Sequence, residues 1–569
     1  MDRTWFAAAA VVLVFLGAAS ARADWQVGAT PHTVRLMRED PPPASAAVEL
    51  AAARNEWRGF QVFVRSDAAL EGVTVEPADL RGPDGAVIRA ADAVLYREHQ
   101  MEIKAGTSRN DAFRPGWYPD PLIPFRHPLT GKPLGGARLT AVPFSLPAGE
   151  THGFWVDLYV PPDARAGVCR GTYRVTAAGG KAADVPVTLA VWNFALPATP
   201  TMKTALGSPA ERLRGYHGGR AKAGKEQQPA DWAAVDEQCA RMLADHRINA
   251  SPPQGALAIQ PLPDGSFSMP AEKVAALRDF IDRYHVNAVM VPNVKSVVKD
   301  PEGEGAKLRA YLAAWDRVAA EVNRTDVVFY IYLIDEPNDQ AAYEFVRRWG
   351  KPVRDARSAV KVMVVEQTKT QDPAWGDLYG AVDIWCPLFP LFDRETAAAR
   401  QAAGETIWTY TALCQRQPTP WWHIDWPLLN YRVPAWISWR YRIRGLLYWG
   451  GMSHWSGVED PWTDPWTYGR PRTPGAKGTV YNGEGTLAYP GRAAGYDGIA
   501  ASLRLKALRD SIEDYEYLSI LERSGRAAEA EKVVLPLAAS WFEWGKDPAL
   551  YDKARAALAE LILKPAAGR

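Results

Sequence analysis

Cysteine is scarce. The 569-residue chain carries four, at Cys169, Cys239, Cys386 and Cys414, too few for a disulfide scaffold at this length. Cys386 and Cys414 would lie near one another if their strands are neighbours, although buried free thiols are the simpler reading. Net charge is almost absent: 66 Lys and Arg oppose 65 Asp and Glu, a formal +1. There is no basic field to hold nucleic acid and no acidic tail. The nine histidines are scattered, with no His-x-His or His-Glu-x-x-His, which argues against a metal-dependent hydrolase. No Gly-x-Gly-x-x-Gly follows a first strand, which removes a dinucleotide fold. Neither metal nor cofactor is expected. Long apolar runs are missing except at the start, where a stretch through Leu16 leads to Ala21-Arg22-Ala23, the small-x-small pattern of a signal-peptidase site. That run is too short to span a bilayer. Residues 1–23 are therefore expected to be a signal peptide and the protein to be exported to a periplasm or medium. No cysteine follows the site to carry a lipid, and no integral membrane segment is expected once the signal is removed.

What the chain has is apolar and aromatic mass. With 47% hydrophobic residues, it can bury more than one core. Residues 24–197 read as an all-β sandwich, from short alternating segments such as Gln61–Arg65, Phe154–Val160, Thr172–Thr176 and Val185–Trp192 separated by glycine and proline turns. Asn55 and Glu56, at the mouth of one such strand, read as turn formers rather than ligand groups. Leu196–Pro200 reads as a linker. Beyond it strands and helices alternate. The strands are expected at Lys203–Gly207, Ile248–Ser251, Val286–Pro292, Val327–Ile334, Val360–Val365, Val382–Pro387, Thr406–Thr411 and Gly445–Trp449. Eight strands with crossover helices over roughly 250 residues match a (β/α)8 TIM-type barrel, placed at 198–523. The last barrel helix is expected at Leu503–Leu521, with Leu505, Leu508, Ile512, Tyr515 and Leu518 along one face. A C-terminal helical extension fills 524–569.

The fourth expected strand, Tyr-Ile-Tyr-Leu-Ile, ends in Asp335, Glu336 and Pro337. Proline stops a sheet interior, so the two carboxylates sit at the strand's carboxyl end, where α/β barrels bind their ligands. A helix cap followed by a first-turn glutamate is the structural alternative. At or just past other strand ends fall His217, Glu366, Tyr410, Trp449, His454, Trp455 and Asp460. They form a rim of candidate substrate contacts, each of which alone reads as loop packing. Ten of the 23 tryptophans lie between Trp408 and Trp466, a density that core packing mostly explains but that also offers flat faces to sugar rings. The long segment from Gly450 to about Ser502 is expected to wall the site.

Several segments resemble glycoside hydrolase family 123: Leu-Ile-Asp-Glu-Pro, Gly445–Trp449, Asn482–Gly491 and Ser502–Leu518, with Ala53–Trp57 and Gly167–Tyr173 similar to that family's sandwich. The resemblance implies a β-N-acetylgalactosaminidase-like enzyme working by substrate assistance, with Asp335 and Glu336 as the adjacent catalytic pair. The residues support that chemistry independently. A glycosidase ordinarily uses two carboxyl groups, yet Thr406–Thr411 carries no carboxylate at its exit and Glu405 lies at the wrong end. The attacking group is then expected to be the substrate's own 2-acetamido oxygen, with Asp335 holding its N–H and Glu336 moving the proton. A glycan or glycoconjugate is the expected partner. The other readings are a non-catalytic carbohydrate-binding or scaffold protein, and a glycosidase of different specificity.

Overall fold

The computed structural model describes residues 25–253, 255–413, 415, 419–449, 451–455, 457–468 and 480–565. The expected signal segment and Cys414 lie outside them; Cys386 is buried as a free thiol. Among the described residues no helix is long and apolar enough to cross a membrane.

The N-terminal part is a sandwich of two sheets. One runs in the order Trp25–Thr30, Glu56–Ser66, Thr151–Val160, Ala93–Ile103, Gly116–Pro124, antiparallel throughout. The main path of the other is Val48–Arg54, Lys181–Ala195, Gly167–Ala177, Leu70–Glu76, Phe144–Leu146, with its first pair parallel. Alternation sends Phe154, Val156 and Leu158 into the space between the sheets, against Val185, Val187 and Leu189. The neighbours Trp155 and Asp157 point the other way and are also buried, because that face is covered by the C-terminal part.

The C-terminal part is a nearly closed parallel barrel of seven strands: β1 (Lys203–Ala205), β2 (Ala288–Met290), β3 (Val328–Asp335), β4 (Val360–Val365), β5 (Ile384–Trp385), β6 (Thr406–Thr411) and β7 (Gly445–Tyr448). They pair in the order β1-β7-β6-β5-β4-β3-β2. The second expected strand, Ile248–Ser251, does not form, which corrects the exact (β/α)8 expectation. It occupies the seam between β1 and β2, where side-chain amides replace the backbone ladder. Asn249 donates from its backbone N–H to the Thr204 hydroxyl (2.8 Å) and from Nδ2 to the Thr204 carbonyl (2.9 Å) and to Asn287 Oδ1 (2.9 Å), and its own Oδ1 accepts from the Asn287 N–H (2.8 Å). Asn287 Nδ2 reaches back to the Pro200 carbonyl (2.5 Å), pinning the linker.

The helices are α1 (Pro209–Lys222), α2 (Trp232–Asp245), α3 (Ala271–Arg283), α4 (Gly305–Val322), α5 (Gln340–Asp355), α6 (Arg394–Ala402), α7 (Leu429–Arg440), α8 (Leu503–Arg523), α9 (Ala527–Val534) and α10 (Pro548–Leu563). Helix α8 begins at Ser502, whose hydroxyl accepts the Leu505 N–H (3.1 Å). Its expected apolar face is buried, and so is its polar face. Arg504 pairs with Asp120 (2.9 Å), and Lys506 and Arg509 with Asp157 (2.6 and 2.7 Å). From α10, Arg555 pairs with Glu56 (2.7 Å) and with Asp514 of α8 (2.5 Å). Glu56 thus anchors the sandwich to the helices, taking a further hydrogen bond from Tyr517. Burial alone would raise the Asp157 carboxyl, yet Arg509 and Lys506 hold it well below the usual range. Lys506 is itself pushed down to about 8 by burial, with Asp157 offsetting part of that fall, so Arg509 is the steadier counter-charge.

Asp157→Ala leaves two cations buried without their partner, a loss expected to cost about 3–5 kcal/mol of unfolding free energy in a urea titration. Since the folded carboxyl is depressed, the contribution of Asp157 is complete above its unfolded value of about 3.9 and is withdrawn as the pH falls from there. A change below ~1 kcal/mol at pH 7 would refute the anchoring role.

Candidate active site

In β3, Tyr330 and Tyr332 point into the barrel with Met363, Cys386, Trp408 and Tyr410, while Ile331 and Leu333 face the surrounding helices. Strict alternation would send Ile334 inward and Asp335 outward. Instead the pairing with β4 shifts register between Tyr332 and Ile334, and Ile334 packs outward beside Leu333. The bulge turns Asp335 to the side of Tyr332. Asn293, just past β2, holds it there by donating from Nδ2 to the Tyr332 carbonyl (2.8 Å). Glu336 follows at φ +40°, with its N–H on the Val365 carbonyl (3.2 Å). A non-glycine residue in the left-handed region, directly before a proline, stores roughly 1–3 kcal/mol of strain. Such strain persists where surrounding contacts over-determine it.

Those contacts are two tyrosines. Tyr332 Oη donates to Asp335 Oδ1 at 2.6 Å, and Tyr410 Oη, from β6, donates to Glu336 Oε1. Burial first, and then the hydrogen bond to Asp335, raise the Tyr332 phenol far above its ordinary value, so it stays a donor at every physiological pH. Asp335 and Glu336 themselves face solvent. Beside them Glu366, past β4, is buried, accepting from Gln371 Nε2 (3.0 Å) and Tyr343 Oη (3.3 Å). Burial pushes its carboxyl up to about 7, with Gln371 and Tyr343 acting against the rise and Glu336 adding to it.

The seam between β1 and β2 opens into a cleft of about 780 Å³ that runs along the barrel mouth to Tyr332, bounded by Asn249, Ser251, Asn293, Arg212 and Trp449. The Trp449 indole N–H is held by Glu484, a buried carboxylate 2.8 Å from His423 Nε2. Its ring lies 5.5 Å from that of His454 and 4.9 Å from that of Tyr468.

The structure therefore gathers Tyr410 and Glu366 around Asp335 and Glu336, and sets Trp449 and His454 along the rim. Trp455 is buried, with its indole on the Ala488 carbonyl (2.9 Å) and an edge against Tyr216 at 5.6 Å. His217 is not at a strand end. It is buried within α1, with Nδ1 3.3 Å from Glu226 and its ring against Trp232, and it does not line this cleft. Asp460 accepts from the Trp462 N–H within its own turn (3.2 Å) and pairs with Arg138 (2.9 Å). Tyr332, Asn293, Tyr343 and Glu484 escaped the sequence reading. In a regular strand Tyr332 and Asp335 face opposite ways, so no spacing rule unites them. Among the described residues no group of three or more His, Cys, Asp or Glu is placed to hold a metal ion.

Residues 302–521 match the family model described as "Glycoside hydrolase 123, catalytic domain". Among solved structures, the chain is similar to a family 123 glycoside hydrolase from Clostridium perfringens, studied for glycolipid glycan hydrolysis. The TM-score is 0.63 at 12% identity, covering 95% of this chain and 97% of that one. A family 39 glycoside hydrolase from the gut symbiont Bacteroides cellulosilyticus WH2 aligns more loosely, with a TM-score of 0.30 at 10% identity over 78% and 80% of the two chains. No curated protein matches. At this identity the first likeness establishes the shared fold.

Tyr332→Phe removes one hydrogen bond to a charged group, worth about 1.5–3 kcal/mol. Turnover is expected to fall about 10- to 100-fold with the melting temperature held. Unchanged kcat/KM would detach Tyr332 from the site.

Proposed function

We propose, from a chain whose residues 302–521 match the glycoside hydrolase 123 catalytic-domain model, that the enzyme removes terminal 2-acetamido sugars of the N-acetyl-β-galactosaminide type with retention of configuration. The observation that carries this reading is the adjacent carboxylate pair, each member held by its own tyrosine. Asp335 spends Oδ1 on Tyr332, leaving Oδ2 to accept the substrate's amide N–H. The acetamido oxygen attacks C1 as the bond from C1 to the leaving oxygen breaks, and Glu336 gives its proton to that oxygen. An oxazolinium ion results, its charge facing Asp335. Water then attacks C1 from the opposite side, Glu336 takes the proton, and the ring opens to the retained product. The Clostridium perfringens structure was studied for glycolipid glycan hydrolysis, which supports a glycan as the substrate here.

Glu366 is the obvious rival nucleophile, and its setting argues against it. Both of its oxygens are engaged, by Tyr343 and Gln371, and a carboxyl pushed up to about 7 is about half protonated at neutrality and mostly protonated below it. A buried carboxyl with both oxygens hydrogen-bonded and only part of its population ionised attacks poorly. The exit of β6 offers no alternative, since Thr411, Ala412, Leu413 and Gln415 carry no carboxylate.

Glu336→Gln is expected to slow hydrolysis of poor leaving groups by about 10²–10⁴ and to spare activated aryl glycosides more. Asp335→Asn and removal of the substrate's acetamido group should each be severe and should not add, because both disable one interaction. Time-resolved NMR should show the product first in its starting configuration. Inverted product, or a 2-hydroxy glycoside cleaved as fast as its 2-acetamido counterpart, would sink the mechanism.

A further inference from the structure

The sandwich has a cleft of its own. Phe154 faces its core, and the strand register sets Arg97 directly opposite Phe154, with His152 two residues before it on the same face. There the apolar core gives way to a cleft of about 430 Å³, walled by Arg97, His152, Trp117, Phe144, Gln100 and Thr463. Arg97 is 8% exposed. Its Nε and Nη2 donate to the Thr140 carbonyl (3.3 and 3.0 Å), and its guanidinium lies 4.4 Å from the centre of the Phe144 ring. Among the described residues it pairs with no carboxylate, and its Nη1 makes no hydrogen bond. Burial lowers the guanidinium to about 10, so it keeps its charge at neutral pH. A buried cation without a counter-charge is expensive, and folds retain such exceptions mainly at functional sites.

The other charges around the cleft are spent. Glu150 takes Arg38 (3.3 Å) and His152 (2.8 Å), and Glu102 takes Lys104 (3.2 Å). Burial holds His99 and His152 down at about 4, so neither ring adds charge at neutral pH. One guanidinium is left over.

We propose that this cleft is a second ligand site, sharing no residue with the one at the barrel mouth, and that it takes an oxyanion, carboxylate or sulfate, carried on a sugar ring. The oxyanion follows from Arg97, because a guanidinium offers such groups paired N–H donors in matching geometry. The ring follows from the walls: Trp117, Leu139 and Pro147 supply apolar surface. The volume lies within the usual span of small-ligand sites, roughly 300–1,000 Å³. The choice of a sugar as carrier rests on the glycan reading above, whereas the oxyanion does not.

Calorimetric titration of the full-length protein with methyl β-glucuronide and with galactose 6-sulfate tests the site and distinguishes the two oxyanions. At least one is expected to bind with a Kd of about 5 mM or tighter, and at least tenfold tighter than neutral methyl β-galactoside. Either one alone upholds the proposal and names the group. Arg97→Gln can still donate to the Thr140 carbonyl, and it is expected to weaken binding about tenfold without lowering the melting temperature, since it removes an unpaired buried charge. Thr463→Glu places a negative charge at an exposed position of the rim and is also expected to weaken binding about tenfold. Less than threefold in either variant overturns the proposal; if Arg97→Gln fails to fold, Thr463→Glu decides alone. A lowered melting temperature with unchanged binding marks Arg97 as purely structural and overturns it too. So does weaker binding of both anionic sugars, or equal binding of the neutral galactoside. Acetate or inorganic sulfate binding as tightly as the sugar bearing the same group would leave an adventitious ion only, and overturns it as well. No probe carries a 2-acetamido group and none needs turnover, so a failure of the hydrolytic reading is read separately, from an aryl glycoside of N-acetylgalactosamine.

Discussion

The architecture hangs on the charged side of α8. A 21-residue helix buried on all sides has to find partners for its charges, and it draws them from both halves of the molecule at once. Arg504, Lys506 and Arg509 meet sandwich carboxylates, while Asp514 meets Arg432 of α7 (2.7 Å) and Arg555 of α10. Buried pairs of this kind add little net stability compared with apolar packing, but breaking one is expensive. The consequence is register: the sandwich has one seat on the barrel. That seat reaches the active site, because Arg504 holds Asp120 of the sandwich and also donates to the Gly483 carbonyl (2.8 Å), next to the Glu484 that fixes Trp449.

Much of this was legible in advance. The acidic pair announced itself because proline ends a strand chemically, whatever surrounds it. The sandwich strands and the inner face of α8 followed from periods of two and 3.6. What escaped was whatever depends on a partner distant in sequence. Ile248–Ser251 has the apolar content of a strand, but Asn249 answers its neighbours with side-chain amides, and composition cannot distinguish the two. The polar face of α8 reads as solvated until the sandwich carboxylates are placed opposite it. His217 was placed on the rim because it follows the strand expected at Lys203–Gly207; α1 begins at Pro209 and carries the imidazole inward.

The tryptophan-rich segment divides along similar lines. Trp408, Trp421, Trp422, Trp436 and Trp462 are fully buried and build the core, whereas Trp449 reaches the cleft at the barrel mouth. A single glutamate decides the difference for Trp449 by capturing its indole N–H at the rim. The tyrosines show the converse. Tyr332 and Tyr410 belong by composition to the barrel interior, yet their hydroxyls emerge at its upper edge as the donors that orient both carboxylates. Apolar packing below thus becomes angular precision above.

The unpaired seam between β1 and β2 makes the barrel a split collar rather than a closed ring. In a closed ring the bore is dictated by strand number and stagger; here one side is set by the reach of two asparagine amides, Asn249 and Asn287. The Asp335–Glu336 pair sits at the end of β3, one strand away from that opening and braced from its other side by β4 and β6. Insertions between α2 and α3 can therefore widen or narrow the groove while the acid pair keeps its bearings, so substrate range and chemistry are free to evolve on separate parts of the same rim.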